Sequence, residues 1–268
     1  MRSPSPGDHS MTKPFPSRLC TLAALASLTA LPLTSHANSD GAEICAQEAY
    51  AMGLRYQQQS AEAAALQRQG FALATYRLED QIEAHGGSDD LAIITDLDET
   101  VLDNSALLVR DMQACHDYTT WDTWKHWERE GEPRLMPGAK AFLDYADEQG
   151  VAIFYVSDRY QENEADTIAT LEALELPQVS EQSVMLLGPA KAERRAEVVD
   201  NHTLVMQLGD SLHDFAGDFA GADLDQQHAL VEENAERFGN DWIVFPNATY
   251  GAWSEAELDA WEAPHEVE

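Results

Sequence analysis

Residues 91–104, which read Leu-Ala-Ile-Ile-Thr-Asp-Leu-Asp-Glu-Thr-Val-Leu-Asp-Asn, contain the strand and the acidic loop around which the chain is organised. The run at 91–94 is apolar, short and rich in β-branched residues, which predicts a strand buried on both faces. Asp96 and Asp98 follow it, and their two-residue spacing lets both side chains lean to the same side of the strand end. Because open α/β sheets build active sites at the carboxyl ends of their strands, this stretch predicts a functional pair of carboxylates. One would attack or bind metal while the other transfers protons.

Four further apolar runs follow, and each has the length of a core strand. They lie at 151–156, 184–187, 203–208 and 242–245. Stretches of helical composition separate them, among them 139–148 and 162–174. Since strands that alternate with helices form right-handed βαβ units, we predict an α/β fold, a Rossmann-like parallel sheet with helices on both faces. No linker rich in Gly, Ser or Pro follows residue 41, so we expect 38–268 to form a single domain.

Two segments lie outside this alternation. Residues 42–84 are rich in Ala, Gln, Glu and Leu and lack proline, which predicts a packing element of either one helix or two. Residues 105–136 are too long for a strand-to-helix loop. We interpret them as a small, mainly helical cap, inserted directly behind the acidic loop and well placed to cover a site there. The cap carries four large aromatic side chains, Tyr118, Trp121, Trp124 and Trp127.

The composition is strongly acidic, with a formal net charge of −32. A field of this sign argues against binding to nucleic-acid polymers or anionic membranes, because both require clustered Lys and Arg. An anionic substrate must therefore be attracted by a local site. The chain also contains no GxGxxG or GxxxxGK[ST] motif for nucleotides, no Gly-x-Ser-x-Gly elbow, and no HxH or HxxxH pair that would suggest zinc.

Residues 1–37 have the features of an export signal. Basic residues precede an apolar run at 19–33, and Ser35-His36-Ala37 offers small residues at a cleavage point before Asn38. The run is shorter than the roughly 20 apolar residues that span a bilayer. We therefore predict a periplasmic or secreted protein without a stable membrane anchor.

Two cysteines remain after removal of this signal, Cys45 and Cys115. In an oxidising compartment they can form one disulfide bond. Two separately buried thiols are the alternative, because the sequence alone does not bring the two residues within bonding distance.

The polar residues that follow the apolar runs form an ordered set. In chain order they are Asp96 with Asp98, Ser157, Lys191, and Asp210 with Asp214. This order resembles the haloacid dehalogenase (HAD) superfamily, whose members mostly transfer phosphoryl groups. More narrowly, the stretch at 94–104, Gly-Asp-Ser-Leu-His-Asp-Phe at 209–215 and Pro-Asn-Ala-Thr-Tyr-Gly-Ala-Trp at 246–253 resemble the secreted class C acid phosphatases and 5′-nucleotidases, a family with four aspartates. The resemblance extends over residues 45–253.

The resemblance implies a mechanism through an aspartyl-phosphate. Asp96 is expected to attack phosphorus, and Asp98 to protonate the leaving oxygen and then activate the hydrolytic water. Ser157 is expected to donate a hydrogen bond to a phosphoryl oxygen. Lys191 is expected to balance charge as the phosphoryl group passes through its transition state.

The resemblance also implies a Mg²⁺ site. Asp96 and Asp210 are the expected ligands, joined by the backbone carbonyl of Asp98, while Asp214 supports the ion from nearby. Such an all-oxygen donor set suits Mg²⁺. A cation is needed because a carboxylate nucleophile is repelled by a dianionic phosphomonoester.

Three positions depart from the family pattern. Asp158 stands where Asn is expected and adds a carboxylate beside the anion site. The third motif is poor in lysine; Lys191 is its candidate residue because its spacing to Arg194 and Val198 resembles the family best, and Arg194 is the fallback. His213 replaces a residue that is often Asn. These departures bear on rate and substrate preference more than on the reaction class.

Two hypotheses for function follow. The favoured one is a secreted, Mg²⁺-dependent acid phosphatase that acts on small phosphomonoesters, including nucleoside monophosphates. The alternative is a non-catalytic periplasmic module that binds phosphate or has a structural role, and a homodimer stays open in both. Aromatic residues near the expected site either stack a nucleobase or pack the cap on the core. The candidates for stacking are Tyr118, Trp121, Trp124 and Tyr250.

Overall fold

The structure is a computed structural model that describes residues 45–254 and 256–263, so the signal predicted at 1–37 lies outside the described residues. Its strands, in chain order, are β1 (Leu91–Thr95), β2 (Leu102–Asp103), β3 (Arg134–Leu135), β4 (Ala152–Tyr160), β5 (Val184–Leu187), β6 (Thr203–Gly209) and β7 (Trp242–Val244). Five of them form one parallel sheet in the order β5-β4-β1-β6-β7. Strand β1, which comes from the stretch at 91–104, therefore lies at the centre of the sheet.

Helices connect these strands. The α-helices are α1 (Ala51–Gln59), α2 (Ala61–His85), α3 (Ser105–Gln113), α4 (Trp124–Glu130), α5 (Ala139–Glu148), α6 (Glu164–Ala173), α7 (Lys191–Asn201) and α8 (Leu224–Glu233). Short 3₁₀ helices occupy Ala46–Tyr50, Tyr118–Thr120, Gln161–Asn163, Leu212–Asp214 and Gly217–Phe219. The helix predicted at 139–148 coincides with α5. The unpredicted α8 buries none of its residues, so its sequence carries no strong apolar stripe. Within the described ranges, no helix is both long and apolar enough to cross a membrane.

The two faces of β1 pack against different helices. All five of its residues are buried. Leu91 and Ile93 belong to the largest apolar cluster, which includes side chains of α2 and α5. Ala92 and Ile94 pack on the opposite face with Val198 of α7. The fold is thus α/β with helices on both faces of the sheet, and the predicted fold class is confirmed.

The segment predicted as one helix or two contains both α1 and α2, preceded by a 3₁₀ turn. The break lies at Ser60, whose side-chain oxygen accepts the N–H of Ala63 at 3.1 Å and so caps the start of α2. Gly86 ends α2 with a φ of 76°, a left-handed conformation that glycine adopts without strain. The capping residues Ser60 and Gly86 therefore set the boundaries of α2, whereas Gly53 and Gly70 lie inside the helices.

The cap insertion begins and ends at a two-stranded ribbon. β2 and β3 pair antiparallel, with Leu102 opposite Leu135 and Asp103 opposite Arg134. Two-residue strands carry no periodicity, so this ribbon was not predicted. Between its strands lie α3 and α4, and the cap is mainly helical. Cys115, which follows α3, is disulfide-bonded to Cys45, with the two Cα atoms 5.8 Å apart.

Candidate active site

The carboxyl ends of β1 and β6 bring three aspartates together. Asp96 follows β1 directly, and its backbone N–H donates to the carbonyl of Leu208 in β6 at 2.9 Å. Asp210 follows β6, and Asp214 lies in the 3₁₀ turn just beyond it. One carboxylate oxygen from each of the three aspartates lies within 4.8 Å of the other two. The neighbouring positions of β1 and β6 in the sheet therefore create an acidic cluster.

The turn after β6 orients the carboxylate of Asp214 toward Asp96 and Asp210. Asp214 Oδ2 accepts the backbone N–H of Ser211 at 2.9 Å, as part of a capping box that both residues form. The last residue of β6 is Gly209, and a Cβ at this position would overlap the Asp214 carboxylate. Glycine is therefore required here for a close approach between backbone and side chain.

Lys191 lies between two members of the cluster. It is the first residue of α7, and its Nζ donates to Asp96 Oδ1 at 2.7 Å and to Asp214 Oδ1 at 2.6 Å. Burial by itself would lower the pKa of Lys191, but the two carboxylates outweigh it and raise that pKa well above its usual range. Lys191 therefore stays charged. The structure brings Lys191, and not Arg194, to the Asp96 carboxylate.

One ammonium group does not compensate the three clustered carboxylates. Burial, together with the charge of Asp214, raises the pKa of Asp96 to about 7, although Lys191 opposes this shift. Burial and the charges of Asp214 and Asp96 raise the pKa of Asp210 well above its usual range. Asp210 Oδ2 accepts a hydrogen bond from Asn247 Nδ2 at 2.8 Å. Among the described residues, Asp210 forms no ion pair with a cationic side chain. This donor set of carboxylate oxygens fits a divalent cation, which would neutralise the excess charge.

The carboxylate of Asp98 takes a separate set of partners. Arg159 approaches it with Nε at 3.0 Å from each oxygen and Nη2 at 2.7 Å from Oδ1. Asn104 Nδ2 donates to the same Oδ1 at 2.8 Å. Asp98 Oδ2 also lies 3.4 Å from the hydroxyl of Ser157. Asp98 is thus held by β4 and by its own loop, apart from the acidic cluster.

Ser157 lies within β4, because this strand continues beyond the predicted 151–156 to Tyr160. Its side chain is buried and lines the cavity beside Asp96 and Asp98. Its carbonyl oxygen accepts Arg194 Nη1 at 2.6 Å. The fallback residue of the third motif therefore braces the backbone at Ser157.

The extra carboxylate at Asp158 is compensated locally. Arg194 forms an ion pair with Asp158, and His213 Nε2 lies 3.5 Å from Asp158 Oδ2. Although burial acts in the opposite direction, the hydrogen bond from His213, the charge of Lys191 and the hydrogen bond from Arg194 hold the pKa of Asp158 well below its usual range. The hydrogen bond to Asp158 in turn raises the pKa of His213. Asp158 and His213, two of the three departures from the family pattern, thus contact each other.

A cavity of about 670 Å³ gives access to the acidic residues and has one aromatic wall. The wall contains Trp121 and Trp124 from the cap and Tyr250 from the segment after β7. Tyr250 meets the two indoles edge to face, with ring centroids 5.3 Å from Trp121 and 5.8 Å from Trp124. Trp253 also lines the cavity. Three of the four aromatic residues predicted for substrate binding therefore lie at the cavity.

The structure does not bring the fourth of them, Tyr118, to the cavity. Tyr118 is fully buried, and its hydroxyl donates to the carbonyl oxygen of Thr249. Its ring packs against Tyr50, with centroids 5.1 Å apart. Tyr118 therefore ties the cap to the segment that carries Tyr250. Trp127 also has an internal role, since its Nε1 donates to Asn104 Oδ1 at 2.7 Å.

Two functional candidates were missed in the sequence. Arg159 lies two residues after Ser157, and the alternation of a strand places both on one face of β4. Glu128 lies four residues after Trp124, on the same face of α4, and both line the cavity. Both spacings can be found in the sequence. They indicate a functional role only once β4 and α4 are known to face the cavity.

Comparisons with known proteins agree with this arrangement. A family model described as HAD superfamily, subfamily IIIB (acid phosphatase) matches residues 19–253. The structure is similar to that of the class C acid phosphatase from Bacillus anthracis, with 33% sequence identity and a TM-score of 0.73 over 77% of this chain and 87% of that chain. It is also similar to the class C acid phosphatase from Bacillus anthracis with tungstate bound, with 32% identity and a TM-score of 0.73 over 78% of this chain and 88% of that chain.

Proposed function

Because the chain belongs to the class C acid phosphatases, in subfamily IIIB of the HAD superfamily, it is a phosphomonoester hydrolase, and we propose that it acts with Mg²⁺ through Asp96 as nucleophile. The observation that carries the proposal is the buried contact between Lys191 and Asp96 inside the aspartate cluster. A nucleophilic carboxylate must lie beside positive charge before a phosphate dianion can approach it. No comparable support exists for the non-catalytic alternative.

Asp96, Asp210 and Asp214 would hold the cation. When bound, Mg²⁺ supplies positive charge against the phosphoryl oxygens and the three carboxylates. The all-oxygen donor set is the basis for choosing Mg²⁺ rather than a softer metal.

The residues of the site then have the following tasks. Asp96 forms a bond to phosphorus while the bond to the ester oxygen breaks, and Asp98 gives that oxygen a proton. In the second half, Asp98 accepts a proton from water, the water oxygen bonds to phosphorus, and the Asp96 carboxylate is released. Lys191 stays charged through both halves and balances the charge on the phosphoryl group. Ser157 donates a hydrogen bond to a phosphoryl oxygen.

The aromatic wall supports nucleoside monophosphates among the substrates. Trp121 and Tyr250 offer faces and edges at a cavity that is large enough for more than a phosphate group. Stacking of a base on an aromatic ring does not require one particular base. A broad specificity with a preference for aromatic and nucleotide leaving groups follows.

The first prediction concerns the nucleophile and the metal. Asp96→Asn should lower the rate of 4-nitrophenyl phosphate hydrolysis by at least about 10³-fold, because the amide cannot attack phosphorus. A chelator should abolish wild-type activity, and added Mg²⁺ should restore it. The matched control is Asp89→Asn, an exposed aspartate just before β1, which should keep wild-type activity. A rate above roughly a few per cent of wild type in Asp96→Asn would refute the covalent mechanism.

Export is part of the proposal. The apolar run at 19–33 and the small residues before Asn38 support removal of residues 1–37 and a periplasmic or secreted mature protein. N-terminal sequencing of the protein purified from its host should find Asn38 or a close neighbour, and an intact start would contradict export by cleavage.

A further inference from the structure

Arg159 makes an unusually complete contact with one side chain of the site. Its guanidinium reaches both oxygens of Asp98 through Nε and one of them through Nη2, at distances between 2.7 and 3.0 Å. Only 2% of Arg159 is exposed. A planar guanidinium that binds both oxygens of a carboxylate fixes the orientation of that carboxylate, which a lysine ammonium does not.

A second support holds Asp98 from its own loop. Asn104 Nδ2 donates to Asp98 Oδ1 at 2.8 Å, and Asn104 itself is oriented by Trp127 Nε1 at 2.7 Å from its Oδ1. Ser157 adds only a long contact of 3.4 Å. The support from Arg159 is therefore the strongest that the carboxylate has, and it comes from a different strand.

The position in which Asp98 is held separates it from the other acidic residues. Asp96, Asp210 and Asp214 share one cluster that can hold a cation, and the Asp98 carboxylate is bound elsewhere. Asp98 still lines the same cavity as Asp96. A carboxylate that is kept off the cation and turned toward the cavity is placed to exchange protons with the substrate.

We propose that Arg159 is a positioning residue for leaving-group protonation, because it holds the Asp98 carboxylate where the ester oxygen departs. The proposal rests on the role of Asp98 given under the proposed function. Arg159 does not itself transfer the proton. Without it, Asp98 would keep the hydrogen bond from Asn104 but lose its fixed orientation, and proton transfer depends steeply on such geometry.

The consequence is a specific dependence on the leaving group. A 4-nitrophenolate leaves readily without a proton, whereas the alkoxide of an alkyl phosphate needs one. When the leaving oxygen needs a proton, loss of a positioned general acid lowers the reaction rate by about 10²–10⁴-fold. We expect Arg159→Lys to lower kcat/KM for glycerol phosphate by about 10- to 100-fold more than kcat/KM for 4-nitrophenyl phosphate.

The experiment measures kcat/KM for both substrates in wild type, Arg159→Lys, Asp98→Asn and Arg194→Lys, at saturating Mg²⁺. This parameter reports steps up to the departure of the leaving group, so the later hydrolysis of the intermediate does not affect it. The matched control, Arg194, is also a buried arginine at this end of the sheet, but it pairs with Asp158. Its substitution should lower both values by the same factor. The ratio of the two values does not depend on the fraction of folded protein, so a poorly folding variant remains informative.

A changed ratio in both Asp98→Asn and Arg159→Lys supports the proposal. A change in Asp98→Asn with none in Arg159→Lys overturns it and leaves the proposed function intact. A change in Arg159→Lys with none in Asp98→Asn also overturns it, because Arg159 would then act on the leaving group directly. No change in either variant overturns the acid role of Asp98 itself.

Discussion

At the scale of single residues, Tyr250 combines two separate contacts. Its ring belongs to the aromatic wall of the cavity, while its hydroxyl donates to the carboxylate of Glu99, which is fully buried in the acidic loop. Burial, together with the charge of Asp98, raises the pKa of Glu99 to about 8. The hydroxyl thus connects the wall to the loop that carries Asp96 and Asp98, while the ring lines the cavity.

These two contacts are separable by mutation. Tyr250→Ala should reduce kcat/KM for a 5′-nucleotide by roughly 5- to 150-fold, the equivalent of about 1–3 kcal/mol of stacking, and should affect glycerol phosphate much less. Tyr250→Phe keeps the ring and should retain the preference for the nucleotide. Steady-state kinetics on both substrates test this. Equal losses on both substrates in Tyr250→Ala would mean that Tyr250 is a packing residue.

At the scale of elements, Glu128 connects the cap to the sheet. It lies on α4, and its Oε2 accepts hydrogen bonds from the backbone N–H of Tyr160 at the end of β4, at 3.1 Å, and from Asn163 Nδ2 in the 3₁₀ helix that follows, at 2.7 Å. Burial raises its pKa from an ordinary 4.5 to about 7, against the hydrogen bond from Asn163. The contact therefore depends on a carboxylate that is costly to ionise in the folded protein.

The raised pKa sets the sign of a stability change with pH. Since the folded-state pKa lies above the unfolded one, the contribution of Glu128 is complete below about pH 4.5 and is lost as the pH rises through about 7. Glu128→Gln removes this loss, so between about pH 4.5 and 8 the variant should gain up to about 3 kcal/mol relative to wild type.

Urea unfolding at the two pH values measures the difference. Glu130→Gln is the matched control, because Glu130 lies on the same helix and is exposed. A free-energy difference between Glu128→Gln and wild type that stays constant with pH would contradict the assigned pKa.

At the scale of the whole molecule, the charge of −32 opposes compact folding. Monovalent salt screens repulsion between surface carboxylates, with a Debye length that falls from about 30 Å at 0.01 M to about 3 Å at 1 M. We therefore expect the melting temperature to rise over this range of sodium chloride. Potassium chloride should give the same rise, because screening depends on ionic strength. A melting temperature that falls or stays constant would show that charge repulsion is not a main cost of folding here.

The amino-acid sequence was enough to predict, in chain order, the five strands of the parallel sheet and the aspartates that follow β1 and β6. The run before Asp96 is a strand because its residues are apolar and β-branched, and α5 follows from local composition and flanking glycines. Such signals are local, so they can be interpreted without knowledge of the tertiary structure. Lys191 was chosen in a different way, because its spacing to Arg194 and Val198 resembles the family pattern.

Which side chains contact each other could not be predicted from the sequence and became known from the fold. Arg159 binds Asp98 across a separation of 61 residues, and no periodicity links the two. The pairing of Cys45 with Cys115 and the burial of Tyr118 under Thr249 depend likewise on how the cap packs against segments far away in the chain. Side-chain partners of this kind depend on how whole helices and strands pack against each other. Local sequence patterns indicate each helix or strand, but they do not indicate which distant segment packs against it.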